Sequence, residues 1–253
     1  MQTKNQSESR EEIRRLVSCP PARVVVAGPS KTGKHVFIRS ELLVLTAEQD
    51  MLEVDGTIDG ARQAQRFVKT TPVVGTIRAV LIDGRGGFTD PAQDACLKIC
   101  EETPESSAVV IVVEDEGALR PALLSRLDLV RWHSISDVEM RHDTQLDDFV
   151  LLVARGRPGL CGALSSRLEE MKSLYSAACD VVAGKPDLSS VPRLILEWSK
   201  LDDDTKDAVL AVCVTAIRSG FGIRASMMSQ FVQIVTSVPS ANAEIYWWRS
   251  CVT

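Results

Sequence analysis

The chain has 253 residues, of which 45% are hydrophobic and 25% charged, with a net charge of −5. No apolar run reaches the length of a membrane span and residues 1–15 hold no apolar leader core, so a cytoplasmic protein without membrane contact is expected. The acidic balance argues against wrapping nucleic acid with the whole surface, and the length suffices for one large core or two to three smaller ones.

Residues 6–18 read as a polar helix, with Ser7 or Ser9 near its start and Ile13 and Leu16 on its inner side. Cys19-Pro20-Pro21 breaks it, and Arg23 to Ala27 is an apolar run suited to a strand. Gly28-Pro29-Ser30-Lys31-Thr32-Gly33-Lys34-His35 follows, a G-x-x-x-x-G-K pattern between that strand and a helix from Val36 to Leu45. Backbone N–H groups at such a helix start favour phosphate oxygens, with Gly28 and Gly33 shaping the turn and Lys34 reaching the outer phosphates. His35 stands where the pattern has a Ser or Thr hydroxyl, and imidazole is a poor ligand for a hard cation that prefers oxygen. A relic loop that binds nothing and a weak phosphate binder both rank above a working ATPase.

Further along, Ala79 to Ile82 is a short apolar run ending in Asp83, as in a strand buried on both faces. Thr89 or Asp90 can cap the next helix, with Pro91 at its first position. Ala92, Ala95, Cys96, Ile99 and Cys100 give that helix one apolar face, and Thr103-Pro104 stops it. Ala108 to Val113 is a second buried run, ending in Glu114, Asp115 and Glu116. Gly117 opens a helical segment that ends near Ser125-Arg126, and Asp128 to Trp132 forms another strand. This alternation predicts a parallel α/β sheet that gathers ligands at the C-terminal ends of its strands.

From Ser134 to Ala154 the pattern is that of a small helical domain, with Phe149, Leu152 and Val153 facing inward. Gly156-Arg157-Pro158-Gly159 is its turn, and Leu160 to Ala183 reads as one long amphipathic helix. Gly184-Lys185-Pro186 marks a boundary. Four helical segments follow, Ser190 to Leu201, Asp204 to Ser219, Ala225 to Val238 and Ser240 to Cys251, in which Trp247 and Trp248 are core or interface anchors. The seven cysteines form no C-x-x-C pair and read as free thiols in a reducing compartment. Cys96 and Cys100 could share a helix face as metal ligands, but with no His or Cys nearby they read as core positions, and no structural zinc is expected.

Taken together, these motifs resemble the clamp-loader subunits of the AAA+ class, in feel the bacterial delta-prime type. Asp83-Gly84-Arg85 stands where the family has an Asp-Glu-Ala box. Ala92 to Pro104 follows the helix pattern that ends in E-E-P-P, and Ser125-Arg126-Leu127 matches its Ser-Arg-Cys box. Ile58 to Arg62 and Thr71 to Gly75 also agree in order and spacing. The likeness covers about residues 20–165. It implies an α/β P-loop core over residues 1–133 with a parallel sheet, a small helical lid over 134–184 and an all-α collar over 185–253.

The resemblance also assigns roles. The family's Asp assists the metal and its Glu polarises the attacking water, but here only Asp83 remains and Gly84 has no side chain. Leu160 stands where the lid's Arg contacts the outer phosphate. Three nucleotide-handling positions are thus lost together, which implies ATP binding without hydrolysis at most, and no autonomous ATPase. Ser125-Arg126 is kept, implying an arginine finger that reaches a neighbouring subunit's ATP; the bland alternative is a surface Arg at a helix end. The implied partners are motor and delta-like clamp-loader subunits, the sliding clamp, and primer–template DNA through the complex, with Lys98 a candidate phosphate contact. Rival readings are an active ATPase motor using His35 and a displaced acid such as Glu114, a free-standing binding module on the same scaffold, and a small-molecule kinase.

Overall fold

The computed structural model describes residues 6–136, 139–141, 146–182 and 200–219. The chain divides into two compact units, Met1–Ser134 and Ile135–Thr253. The first is an α/β layer structure around five parallel strands: β1 (Ala22–Ala27), β2 (Met51–Asp55), β3 (Arg78–Asp83), β4 (Ser107–Val113) and β5 (Asp128–Arg131). Their order across the sheet is β2-β3-β4-β1-β5. Around them lie α1 (Gln6–Val17), α2 (Lys34–Leu45), α3 (Ile58–Val68), α4 (Asp90–Glu101) and the single turn α5 (Pro121–Leu124).

The three central strands β3, β4 and β1 read as near-continuous apolar runs because both faces of the sheet are covered there. Val25, Val80, Ile82, Val109 and Ile111 pack with Ala61 and Ala64 of α3 and Cys96, Ile99 and Cys100 of α4. Their neighbours Val24, Val26, Leu81, Val110 and Val112 point the other way, onto Ile13 of α1, Ile38 and Leu42 of α2, and Trp132. This period-two alternation leaves the sheet's polar chemistry only at the strand ends. Cys96 and Cys100 are core residues, and burial pushes their thiols up to about 12 and about 11. Among the described residues, no group of three or more His, Cys, Asp or Glu side chains could hold a metal ion, and no helix is long and apolar enough to cross a membrane.

Several expectations need correction. The helix expected from Gly117 is two pieces, a 3-10 turn at Glu116–Ala118 and α5, because Pro121 restarts the chain after the extended Arg120. β2 and α3 form from residues whose elements the sequence pattern did not reveal: β2 has one buried residue in five, so it lacks the apolar run of its neighbours. Asp50 enters β2 fully buried, its carboxylate accepting from the backbone N–H groups of Val73, Val74 and Gly75 and lying 3.1 Å from Arg78 Nη1.

In the second unit, the helices α6 (Asp148–Ala154), α7 (Cys161–Ser166), α8 (Leu168–Val182) and α9 (Asp203–Ser219) bury Val150, Leu151, Val153, Leu160, Leu164, Met171 and Val212 in one cluster. Leu152, expected inside, is 47% exposed. The buried set of α6 is Val150, Leu151, Val153 and Ala154, which turns residue 152 outward on a 100°-per-residue helix. The long helix expected from Leu160 is interrupted at Arg167, whose φ of −127° and ψ of 37° are not helical. The boundary expected at 184/185, nearly all of Ser190 to Leu201, and the segments Ala225 to Val238 and Ser240 to Cys251, with Trp247 and Trp248, lie outside the described residues.

Pairing of β1 with β5 brings the end of the sheet against the glycine loop. Trp132 N donates to Ala27 O at 2.7 Å, and a Cβ on Gly28 would stand 2.2 Å from Trp132 O. Only glycine fits there without moving backbone. Gly28→Ala should therefore destabilise the chain by about 2 kcal/mol or more, a figure typical of severe overpacking; a urea-unfolding midpoint equal to that of the wild type would refute this.

Candidate functional site

The loop from Gly28 to Gly33 leaves β1 and enters α2 through two residues of positive φ, Lys31 at 59° and Gly33 at 82°. Gly33 stands at the N-cap of α2, and its carbonyl accepts the first helical bond from Phe37 N at 3.0 Å. The Gln6 side chain of α1 ties the loop down, donating to Thr32 O at 3.2 Å and to His133 O at 3.1 Å.

Lys34 is turned into this loop. Its Nζ donates to Gly28 O at 2.6 Å and Pro29 O at 2.8 Å, with the residue 2% exposed. Burial lowers its ammonium to about 8, against the opposing pull of Glu114. A phosphate would have to draw Lys34 off these carbonyls.

His35 points across to the ends of β2 and β3. Its Nε2 is 2.8 Å from Glu53 Oε1, an approach that makes no aligned hydrogen bond, and 4.0 Å from Asp83 Oδ2. Arg39 holds the other Glu53 oxygen at 3.3 Å.

Asp83 is closed by its own chain. Arg85 places Nη2 at 2.5 Å from Oδ2 and Nε at 2.8 Å from Oδ1, and its backbone N–H reaches Oδ1 at 3.0 Å. Burial alone would raise the Asp83 carboxyl, but the Arg85 bonds and charge, with His35, outweigh it and leave it below the ordinary range. The neighbouring Gly84 donates to Val112 O at 2.8 Å, and a Cβ there would come within 3.1 Å of both Val112 O and Val113 Cγ1. A glutamate at this position would have to displace its β4 neighbours by a few tenths of an ångström.

Lys34, His35 and Asp83 are thus brought together at the C-terminal strand ends, as their spacing predicts. Arg85, Glu53 and Arg39 complete the cluster and were not singled out. An Asx-turn signal at Asp83-Gly84-Arg85 could have found Arg85, but nothing local marks Glu53, which arrives through pairing of β2 with β3.

Ser125 and Arg126 lie elsewhere. α4 runs back from the C-terminal end of β3 to the start of β4 and ends at Glu101; Arg126 Nη2 pairs with Glu101 Oε1 at 2.8 Å, just before β5 begins. Arg126 therefore sits at the N-terminal ends of the strands, across the sheet from the chain's own P-loop. Its Nη1 also donates to Ala122 O at 2.7 Å, and Ser125 Oγ donates to the same carbonyl at 3.1 Å. An exposed ion pair of this kind is worth about 0–1 kcal/mol, so the link to Glu101 is weak. Leu160, in the second unit, is a 1% exposed core residue there.

Residues 5–136 match the protein family described as DNA polymerase III, delta subunit, which is more than half of the chain. The chain belongs to that family. This delta-family chain is a clamp-loader-type AAA+ subunit. Its fold is similar to that of a DNA polymerase III gamma subunit-related protein from Thermotoga maritima, with a TM-score of 0.59 and 16% identity over 92% of this chain and 93% of that one. It also has a weaker likeness to the Bacillus subtilis DNA clamp loader delta protein, with a TM-score of 0.44 and 11% identity over 93% of this chain and 85% of that one. No curated protein sequence matches it.

The state of Lys34 in this delta-family subunit is open to test. Its folded value of about 8 lies below the unfolded 10.5. Between those values the unfolded chain binds the extra proton, so stability rises with pH across that window. Relative to Lys34→Met, the wild type should gain about 2 kcal/mol of unfolding free energy from pH 7.5 to pH 9.5. Parallel changes in the two proteins would show that Lys34 titrates normally.

Proposed function

We propose that this chain is a non-hydrolysing, delta-prime-like subunit of a sliding-clamp loader, acting in the cytoplasm during DNA replication. Its core serves as a stator within a hetero-oligomer of motor and delta-like subunits. ATP at its own loop, where taken up, is held without hydrolysis. Contact with the clamp and with primer–template DNA comes through the complex.

The observation that most supports this reading is the placement of Arg126. It is exposed at the strand ends opposite the chain's own P-loop and loosely tethered to Glu101, so it is available to a neighbour's nucleotide and not to its own. Delivered to a neighbour, a guanidinium stabilises charge on the transferring phosphoryl group, an effect worth on the order of 10³–10⁵ in rate. The chain's own site supports the other half of the reading. Phosphoryl transfer needs a free metal-binding carboxylate, a metal-binding hydroxyl and an acid to orient water. Here those positions are Asp83 closed by Arg85, His35 beside Glu53, and Gly84.

The test is ATP turnover by the isolated chain, then by cognate motor subunits supplemented with wild-type chain or Arg126→Ala. The chain alone should be inert. The wild type should stimulate the motor, and Arg126→Ala should lose at least about tenfold of that stimulation while still co-purifying with the motor. Turnover by the isolated chain would make it a motor subunit, and stimulation undiminished by Arg126→Ala would remove the finger.

A further inference from the structure

The AAA+ fold implies a divalent cation beside the nucleotide, and the residues present do not fit one. A hard cation such as magnesium wants near-octahedral oxygen ligands and usually takes one or two carboxylates with substrate phosphates. Asp83 has both oxygens occupied by the Arg85 fork. The hydroxyl position is an imidazole, already close to Glu53, and Glu53 is shared with Arg39.

We propose that Arg85 is the resident cation of this site, taking through Asp83 the place a divalent metal would need, and that it determines the site's exclusion of metal. This rests on the reading that the site does not turn over ATP and adds the residue that enforces it.

Three features of the geometry carry the inference. The Arg85 contact is a fork, with two side-chain N–H groups on two carboxylate oxygens, the arrangement in which guanidinium matches carboxylate best. A third bond, from Arg85 N to Asp83 Oδ1, fixes the turn so that the fork closes within two residues, at small entropic cost. The charge around it also suits a monovalent organic cation. Asp83, Glu114 and Glu53 all act on Arg85 with favourable sign, while Lys34 adds a second positive charge close enough to be repelled by Arg85. A divalent ion added beside Lys34 and Arg85 would meet two cations before reaching a free carboxylate oxygen. Removing Arg85 reverses this balance. Both Asp83 oxygens are then released, with the His35 imidazole 4.0 Å from one of them, and this carboxylate and imidazole are donors to offer a transition ion such as manganese.

The experiment is manganese binding to the full chain, followed by electron paramagnetic resonance of the free ion. It compares the wild type with Arg85→Ala, Arg85→Gln and Arg85→Ala combined with Asp83→Asn, circular dichroism confirming that each is folded. The wild type should show no site tighter than background. Both single variants should gain one site at least about tenfold tighter, and the double variant should lose it. A wild type that already binds manganese at this site, or single variants that gain nothing, would overturn the proposal. Neither result touches the Arg126 assay, so a wild type that binds manganese yet stays inert in turnover refutes the metal exclusion alone. Metal-dependent turnover by the isolated wild type would refute both readings.

Discussion

A parallel sheet covered on both faces can display chemistry only at its two ends, and the rest of this protein's first unit follows from that constraint. All seven residues of β4 are buried, and every inward position of β1 and β3 faces α1 and α2 or α3 and α4. Nothing reactive can project from the middle of such a sheet without burying an unpaired polar group. Each strand end must therefore be closed by its own connection, and the connections differ at the two ends. At the C-terminal ends they bring Lys34, His35, Glu53, Asp83 and Arg85 into one cluster. At the N-terminal ends they leave Arg126 on the surface.

The two ends also differ in how firmly their charges are held. At the C-terminal end every cation has a near partner: Lys34 lies on two carbonyls of its own loop, and Arg85 on both oxygens of Asp83. Lys34 is buried, where breaking its contacts leaves a costly unpaired charge, while Arg85 is exposed and is held by the two-point geometry of its fork rather than by burial. At the other end, Arg126 and Glu101 meet in solvent, where side-chain entropy and screening nearly cancel the attraction. One guanidinium thus grips both oxygens of a single carboxylate, while the other divides its bonds between an exposed carboxylate and a carbonyl. Under the proposed function, that difference leaves Arg126 to serve a neighbour's nucleotide while Arg85 keeps Asp83 closed.

Membership of the delta subunit family is carried by residues 5–136, the part of the chain that builds the sheet and both of its ends. At 16% identity, the likeness to the gamma subunit-related protein speaks for the fold and not for the chemistry. Packing tolerates extensive apolar exchange when volume and pattern are kept, so the layers persist while the strand-end residues vary. The functional character of each such chain must be read from those ends.

The sequence by itself determined the layered class of the first unit, because the apolar runs at Arg23 to Ala27, Ala79 to Ile82 and Ala108 to Val113 and the periodic face of α4 are local signals. It also determined the loop from Gly28 to His35 and the absence of a glutamate after Asp83. It did not reveal β2, whose exposed edge position removes the apolar run, nor the outward turn of Leu152, which depends on which face of a short helix its neighbours cover. Only the tertiary structure decided the state of the site. That Arg85 grips Asp83, that Glu53 reaches His35 through the β2–β3 pairing, and that Arg126 lies across the sheet from Lys34 depend on which distant strand ends meet. Residue spacing sets what a loop can form, while long-range pairing selects the partners its charges find.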